Sequence, residues 1–159
     1  KKSENLAVIL VGVLARYDVQ IESSSLDVNL NVSTDSDVVE MEVDATRMAQ
    51  VFSNLIVNAV RYSPEFSKIE IGLGGSGEFT QFRVYNEGTG ISASELSQIT
   101  QPFFRGGNAD GVETAGSGIG LAMAAAIIEA HGGFMNVRSE PEEFFEVEIL
   151  LPNPNFSGD

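Results

Sequence analysis

The chain has no cysteine and no tryptophan, a single histidine, and only 9 lysines and arginines against 23 aspartates and glutamates in 159 residues. Without cysteine there are no disulfides, no thiolate nucleophile and no cysteine-ligated zinc, which fits a reducing compartment. The shortage of positive charge leaves a formal net charge of −14. That balance excludes general nucleic-acid binding, which rests on neutralising phosphates with Lys and Arg, and it argues against docking on anionic lipid. Long apolar runs are also missing. The longest, from Ala7 to Ala15, is less than half of the roughly 20 residues that a spanning helix needs. Lys1 and Lys2 precede that run, but Glu4 intervenes and no small-residue cleavage site follows, so it reads as a helix and not a signal peptide. Any phosphate ligand would have to be held locally against the global field, by backbone N–H groups, a metal ion and one or two arginines.

Hydrophobic residues make up 43% of the chain, enough for a packed core and against disorder. Length and composition indicate one domain over residues 1–152 and a polar tail over 153–159. Leu6, Ile9, Leu10, Val13, Leu14 and Tyr17 fall at helical spacing and predict an opening amphipathic helix of about four turns. Its abrupt start suggests a piece of a longer protein. "DVNLNV" (27–32), with Val28, Leu30 and Val32 inward, and "VVEMEV" (38–43) alternate as strands do. Asp44 is a candidate cap for a helix running to about Tyr62, where Ser63-Pro64 stops it. "KIEIGL" and "FTQFRVYN" read as a strand hairpin. "SASELSQI" looks helical, and the glycine-rich segment after it reads as a mobile loop. "IGLAMAAAIIEAHGG" is an Ala-rich helix closed by Gly132 and Gly133, and "FMNVRSE" and "FFEVEILLP" are final strands. The order implies an α+β domain: a two-layer sandwich in which about five strands of a mixed sheet are covered on one face by about three helices.

The helix of residues 45–62 divides unusually. At 100° per residue, Gln50, Asn54, Asn58 and Arg61 share an arc of about 80°, while Met48, Phe52, Leu55, Ile56 and Ala59 cluster opposite. A plain solvated face carries Glu and Lys, which are better helix formers than Asn. The carboxamides therefore serve another purpose: ligating Mg²⁺ through oxygen beside a phosphate-clamping arginine, or hydrogen-bonding an adjacent loop. Two glycine segments follow. "NEGTGI" (86–91) ends a strand in a sharp turn, and "GSGIGLA" (116–122) opens a helix, where unsatisfied N–H groups favour anions. "PFFRGG" lies between them. Singly, each of these has an ordinary reading as a turn, tight packing or an edge cluster.

In this order the segments resemble the ATP-binding catalytic domain of sensor histidine kinases, in the nucleotide-binding superfamily that also includes gyrase, Hsp90 and MutL. "DATRMAQVFSNLIVNAVRYS" is similar to that family's N box, "NEGTGIS" to its first glycine box, "QPFFRG" to its F box and "GSGIGLAMAAAIIEAHGG" to its second glycine box. The resemblance implies the Bergerat-type version of the sandwich, with ATP and Mg²⁺ as cofactors. It makes Asn58 the metal ligand, Asn54 a support for phosphate and metal, Arg61 a phosphate contact and Tyr62 a nucleotide-packing ring. Position 86 would face the adenine amino group, with Gly88, Gly90 and Ile91 around the base. Phe104 and Arg105 of the F box, and Gly116, Ser117, Gly118, Ile119, Gly120 and Leu121 of the second glycine box, complete the expected contacts. Residues 105–117 would form an ATP lid.

The pattern departs from the family at three places. Asn86 stands where aspartate is usual, so adenine meets a neutral and weaker acceptor, and a degenerate regulatory module acting through protein contacts is the alternative reading. Ile99-Thr100 stands where the F box often has another Phe. Asn54 occupies the position at which hydrolytic and serine-phosphorylating relatives carry a glutamate base, and an amide cannot take that proton. Transfer to histidine, which is nucleophilic when neutral, is thereby favoured over hydrolysis. His131 reads as a helix-end histidine and not the acceptor. The resemblance places the acceptor on dimerisation helices preceding Lys1, with a response regulator as partner. It implies a cytoplasmic domain of a membrane-anchored bacterial sensor, monomeric alone and homodimeric in the full-length protein.

Overall fold

The computed structural model describes residues 1–33, 35–75, 78–87, 118–140 and 143–153. The expected helix at 92–99, the F box, residues 88–92 of the first glycine box, residues 116–117 of the second and the lid lie outside them. In chain order the elements are β1 (Lys2–Asn5), α1 (Leu6–Arg16), α2 (Asp18–Ser23), β2 (Asp27–Val32), α3 (Ser36–Val39), β3 (Glu40–Val43), α4 (Ala45–Tyr62), β4 (Lys68–Gly75), β5 (Phe79–Glu87), α5 (Gly118–Ala130), β6 (Phe134–Glu140) and β7 (Phe144–Pro152). Five strands form one mixed sheet in the order β2-β4-β5-β7-β6, and β1 pairs with β3 in a separate ribbon. Only β2 and β4 run parallel; the other neighbours in the main sheet are antiparallel. Among the described residues no helix is long and apolar enough to cross a membrane.

Each core element follows from its apolar period. α4 begins at Asp44, whose carboxylate accepts from the Arg47 backbone N–H at 3.1 Å. It ends where Ser63 turns extended ahead of Pro64. Its apolar side (Met48, Val51, Phe52, Leu55, Ile56 and Ala59) is buried, and Phe52 meets Phe82 of β5 with ring centroids 4.5 Å apart. α5 packs on α4 through Leu121, Ala124 and Ile128, all essentially buried. It closes on Gly132 at φ +78°, and the Gly133 N–H returns to Ile128 O. Any Cβ at Gly133 would lie 2.5 Å from the Leu150 carbonyl oxygen, so only glycine lets the helix exit this close to β7.

The other sheet face carries a polar lattice in place of helices. Glu146 is 5% exposed, bonded by Arg83 and, at 2.7 Å, by Arg138. Gln81 and Asn136 both reach Glu148. Arg83 lies over the Tyr85 ring and Arg138 over the Phe144 ring, and those two rings stack.

Four expectations need correction. The opening helix is shorter, because α1 ends at Arg16 and a polar second helix with no buried residue follows Tyr17. The first residues pair as β1 with β3. Val38 and Val39 are not strand residues: both N–H groups bond Asp35 O in a helical turn, and both side chains are buried. A half-buried strand could bury only one of two neighbours. Leu30 is 40% exposed although it shares a face with Val28 and Val32, since β2 is an edge strand at the margin of the helical layer.

Candidate functional site

The side of α4 opposite its apolar stripe carries the carboxamides. Asn58 is nonetheless 2% exposed, and its Nδ2 has no hydrogen-bond partner. β5 alternates so that Thr80, Phe82, Val84 and Asn86 all face the helices. The last is 1% exposed, and neither its Oδ1 nor its Nδ2 has a partner. Its ladder neighbours are Ile69 and Phe145, both apolar. An orphaned buried polar group costs about 1–3 kcal/mol, so two such amides facing the layer between helices and sheet need an explanation. Thr80 shows what a satisfied buried polar group looks like here: its hydroxyl donates to Val38 O.

Asn54 is differently placed. Its Nδ2 donates to Gly120 O at 3.1 Å and fastens α4 to the first turn of α5. Among the described residues, a Cβ at Gly120 would meet only Asn54, at an ordinary 3.9 Å. Packing among the described residues therefore does not demand glycine at position 120, whereas close approach of a ligand to the helix N–H groups would. Gly118 and Ile119 open the same helix. Leu121, expected among the contacts, has its side chain in the core at 2% exposed. Gly88, Gly90, Ile91, Phe104, Arg105, Gly116 and Ser117 lie outside the described residues.

At the C-terminal end of α4, Arg61 is half-buried and lines a groove of about 460 Å³ with Gln20, Ser24, Val57 and Glu65. Tyr62 packs on Phe145 with centroids 6.4 Å apart, and Phe145 is the cross-strand partner of Asn86. That phenyl ring links two expected site residues, yet its strand reads simply as core, and nothing in its sequence marks it. Among the described residues no cluster of His, Asp or Glu could hold a metal. A cation here would rest on a carboxamide and on the ligand's own oxygens.

His131 occupies the far end of the helical layer. Its Nδ1 lies 2.8 Å from Ile127 O and its Nε2 accepts from the Asp44 backbone N–H at 3.2 Å. With Nε2 accepting, Nδ1 faces Ile127 O as the donor, and the ring staples the end of α5 to the start of α4. At that same corner, the N–H donated by Arg47 holds the Asp44 carboxyl below the ordinary carboxylate range.

Comparison with known proteins agrees with this arrangement. Residues 43–155 match the family described as histidine kinase-, DNA gyrase B- and HSP90-like ATPase. The sensor protein KdpD of Clostridium acetobutylicum is 38% identical over 104 residues, 65% of this chain and 12% of that protein. The sensor histidine kinase ZraS of Escherichia coli is 27% identical over 92% of this chain and 31% of its own length. The chain thus spans a third or less of these relatives. The nucleotide-free catalytic domain of histidine kinase ThkA superposes with a TM-score of 0.80 at 27% identity, covering 96% of this chain and 95% of that one. ThkA is also solved in complex with the response regulator TrrA, where the match has a TM-score of 0.77 at 24% identity and covers 96% of this chain and 41% of that one. The match takes in α4, Asn86 and the second glycine segment and covers most of the chain: the chain belongs to the histidine kinase-, DNA gyrase B- and HSP90-like ATPase family.

Proposed function

We propose that residues 1–152 form the catalytic domain of a two-component sensor histidine kinase. It binds Mg²⁺-ATP and passes the γ-phosphoryl group to a histidine on a dimerisation segment outside this chain. The observation that carries the reading is the buried Asn86, unpartnered through both amide atoms, together with the unpaired Nδ2 of the buried Asn58. Polar atoms left unpaired in a packed seam are what a site looks like when its ligand completes the hydrogen bonding.

Asn58 would hold Mg²⁺ by its amide oxygen, and Asn86 would receive the purine base. Arg61 would sit at the phosphates, Tyr62 beside the nucleotide, and the N–H groups of Gly118, Ile119 and Gly120 toward the phosphate oxygens. Bound Mg²⁺ supplies charge neutralisation on the phosphate chain. Asn54 cannot act as a base, and its amide is engaged in positioning α5. This favours transfer to a nucleophile that needs no base, such as neutral imidazole, over hydrolysis. His131 is a poor acceptor, because both of its ring nitrogens already have partners. The neutral site residues suit a triphosphate in a chain of net charge −14, since carboxylates would repel it. By analogy with ThkA and TrrA, a response regulator is the downstream partner. A cytoplasmic location in a membrane-anchored bacterial sensor, a monomeric isolated domain and a homodimeric parent complete the proposal.

Calorimetric titration of Mg²⁺-ATP tests the site. Binding should require Mg²⁺ and collapse with Asn58→Ala. Absence of binding at millimolar nucleotide would replace this reading with a module that acts by protein contacts. A chain extended N-terminally through the dimerisation helices should form ATP-dependent phosphohistidine, and failure to do so would refute the kinase assignment.

A further inference from the structure

We propose that the base subsite accepts purine nucleotides bearing either a 6-amino or a 6-oxo group, with Asn86 as the specificity-determining residue. This rests on the nucleotide-site reading above and concerns which base that site takes. Asn86 is 1% exposed and bonded through neither end of its amide. The flanking Ile69 and Phe145 side chains offer it no hydrogen bond. Nothing among the described residues therefore fixes which end of the amide points outward, and a half-turn about the Cβ–Cγ bond exchanges them without breaking any hydrogen bond to those residues.

A carboxylate at this position could only accept, so it would pair with a 6-amino group and repel the lone pairs of a 6-oxo group. The amide has both functions. Its oxygen accepts from a 6-amino group, and after the half-turn its nitrogen donates to a 6-oxo group. Strong discrimination between bases arises when the wrong one leaves a buried polar group unpaired, and here neither base does. Asn86 also carries no charge to penalise a carbonyl. Adenine, hypoxanthine and guanine are all compatible at position 6, and hypoxanthine is the simpler 6-oxo probe because it lacks the 2-amino group of guanine. Its N1–H also replaces the N1 acceptor of adenine, so the change in the ratio on Asn86→Asp, and not the ratio alone, reports the position-6 contact.

The test is calorimetric titration of this chain and of Asn86→Asp with Mg²⁺-ADP and with Mg²⁺-inosine diphosphate. This chain should bind the two within about tenfold of each other, and Asn86→Asp should favour adenine by about 100-fold or more. A preference for adenine of about 100-fold or more in the parent chain, or a ratio unchanged by Asn86→Asp, would overturn the inference. Should Asn86→Asp not fold, a preference of that size in the parent chain still overturns it. Adenine nucleotide binding with no inosine nucleotide binding in either chain would sink this inference and leave the nucleotide site standing. No binding of either nucleotide to either chain would remove both.

Discussion

Replacing Asn58 by alanine should affect the free and the nucleotide-bound domain in opposite directions. A buried, hydrogen-bonded asparagine normally costs stability when removed, because a partner is left unsatisfied, and that cost is about 1–3 kcal/mol. Asn58 is 2% exposed with an orphaned Nδ2, so that penalty already exists in the native state and alanine removes it. Alanine also improves helix propensity by up to about 0.7 kcal/mol. Against this stands a cavity the size of an amide group, at about 1–2 kcal/mol by analogy with large-to-small core changes. Those terms place the nucleotide-free domain between about 1 kcal/mol of loss and about 2.7 kcal/mol of stabilisation, centred near about 1 kcal/mol of stabilisation. At about 2–4 °C per kcal/mol for a domain of this size, Tm should rise by about 2–4 °C at that centre, within limits of about −4 and about +11 °C. With nucleotide the sign reverses. A ligand at a hundred times its Kd adds about 2.7 kcal/mol, which the native chain should gain from Mg²⁺-ATP and Asn58→Ala should not. Differential scanning calorimetry with and without Mg²⁺-ATP reads both effects. A loss of more than about 1 kcal/mol in the free domain would show that Asn58 is an ordinary satisfied core residue, and an undiminished nucleotide shift would show that it is no ligand.

Three further perturbations follow from particular contacts. Glu146 is buried between Arg83 and Arg138, so replacing both arginines by methionine should cost about 3 kcal/mol or more by stranding its charge. Glu146→Gln should cost clearly less, and urea unfolding that ranks them the other way would refute the lattice account. Phe66 sits at φ +66° and is 79% exposed. Phe66→Gly should therefore relieve about 1 kcal/mol of left-handed strain, set against the greater entropy of unfolded glycine, for a neutral to slightly stabilising result; Phe66→Ala should gain nothing, and equal effects would argue against strain. The Asp44 carboxyl is held low by the Arg47 N–H. Its cap is thus at full strength above the ordinary aspartate range and is lost as pH falls through the lowered folded-state value. Asp44→Asn should flatten that acid limb in thermal melts, and an unchanged limb would remove Asp44 from it.

Elements with a single clean period were legible from sequence. The stripe of α4, the hairpin of β4 and β5, and the pair β6 and β7 each bury one face, so burial writes the period directly. Legibility failed where burial and period part company. Val38-Val39 sits in one helical turn with both neighbours buried, and α2 is a six-residue helix with no fully buried residue and only Ile21 half-buried against the core, too little to write a period. Leu30 alternates like a core residue but lies on an edge strand that the helical layer only partly covers. The candidate site shows the same division. Asn54 and Asn58 stood out because amides displace better helix formers, and Asn86 through the family resemblance; Asn86 is buried with neither amide atom paired and Asn58 with its Nδ2 unpaired. Phe145 did not stand out, because a phenylalanine in an alternating strand has packing as its sufficient explanation. That Asn54 bonds the backbone of Gly120 is a contact across 66 residues of sequence, which no local period encodes.

The acidity of the chain and its affinity for an anion are reconciled by where the charges lie. The helix face at the site presents Gln50, Asn54, Asn58 and Arg61, with no carboxylate among them. Glu70, Glu146 and Glu148 instead occupy the uncovered face of the sheet, and the first two are paired with arginines there. Those three carboxylates lie across the sheet from the seam between helices and sheet, and two of them are neutralised by their arginine partners. Within that seam the groups near the phosphates would be neutral amides, backbone N–H donors at the start of α5 and one guanidinium. A −14 chain can accept a triphosphate on those terms: of the residues proposed to meet the ligand only Arg61 is charged, and Glu65 is the one carboxylate among the residues lining its groove.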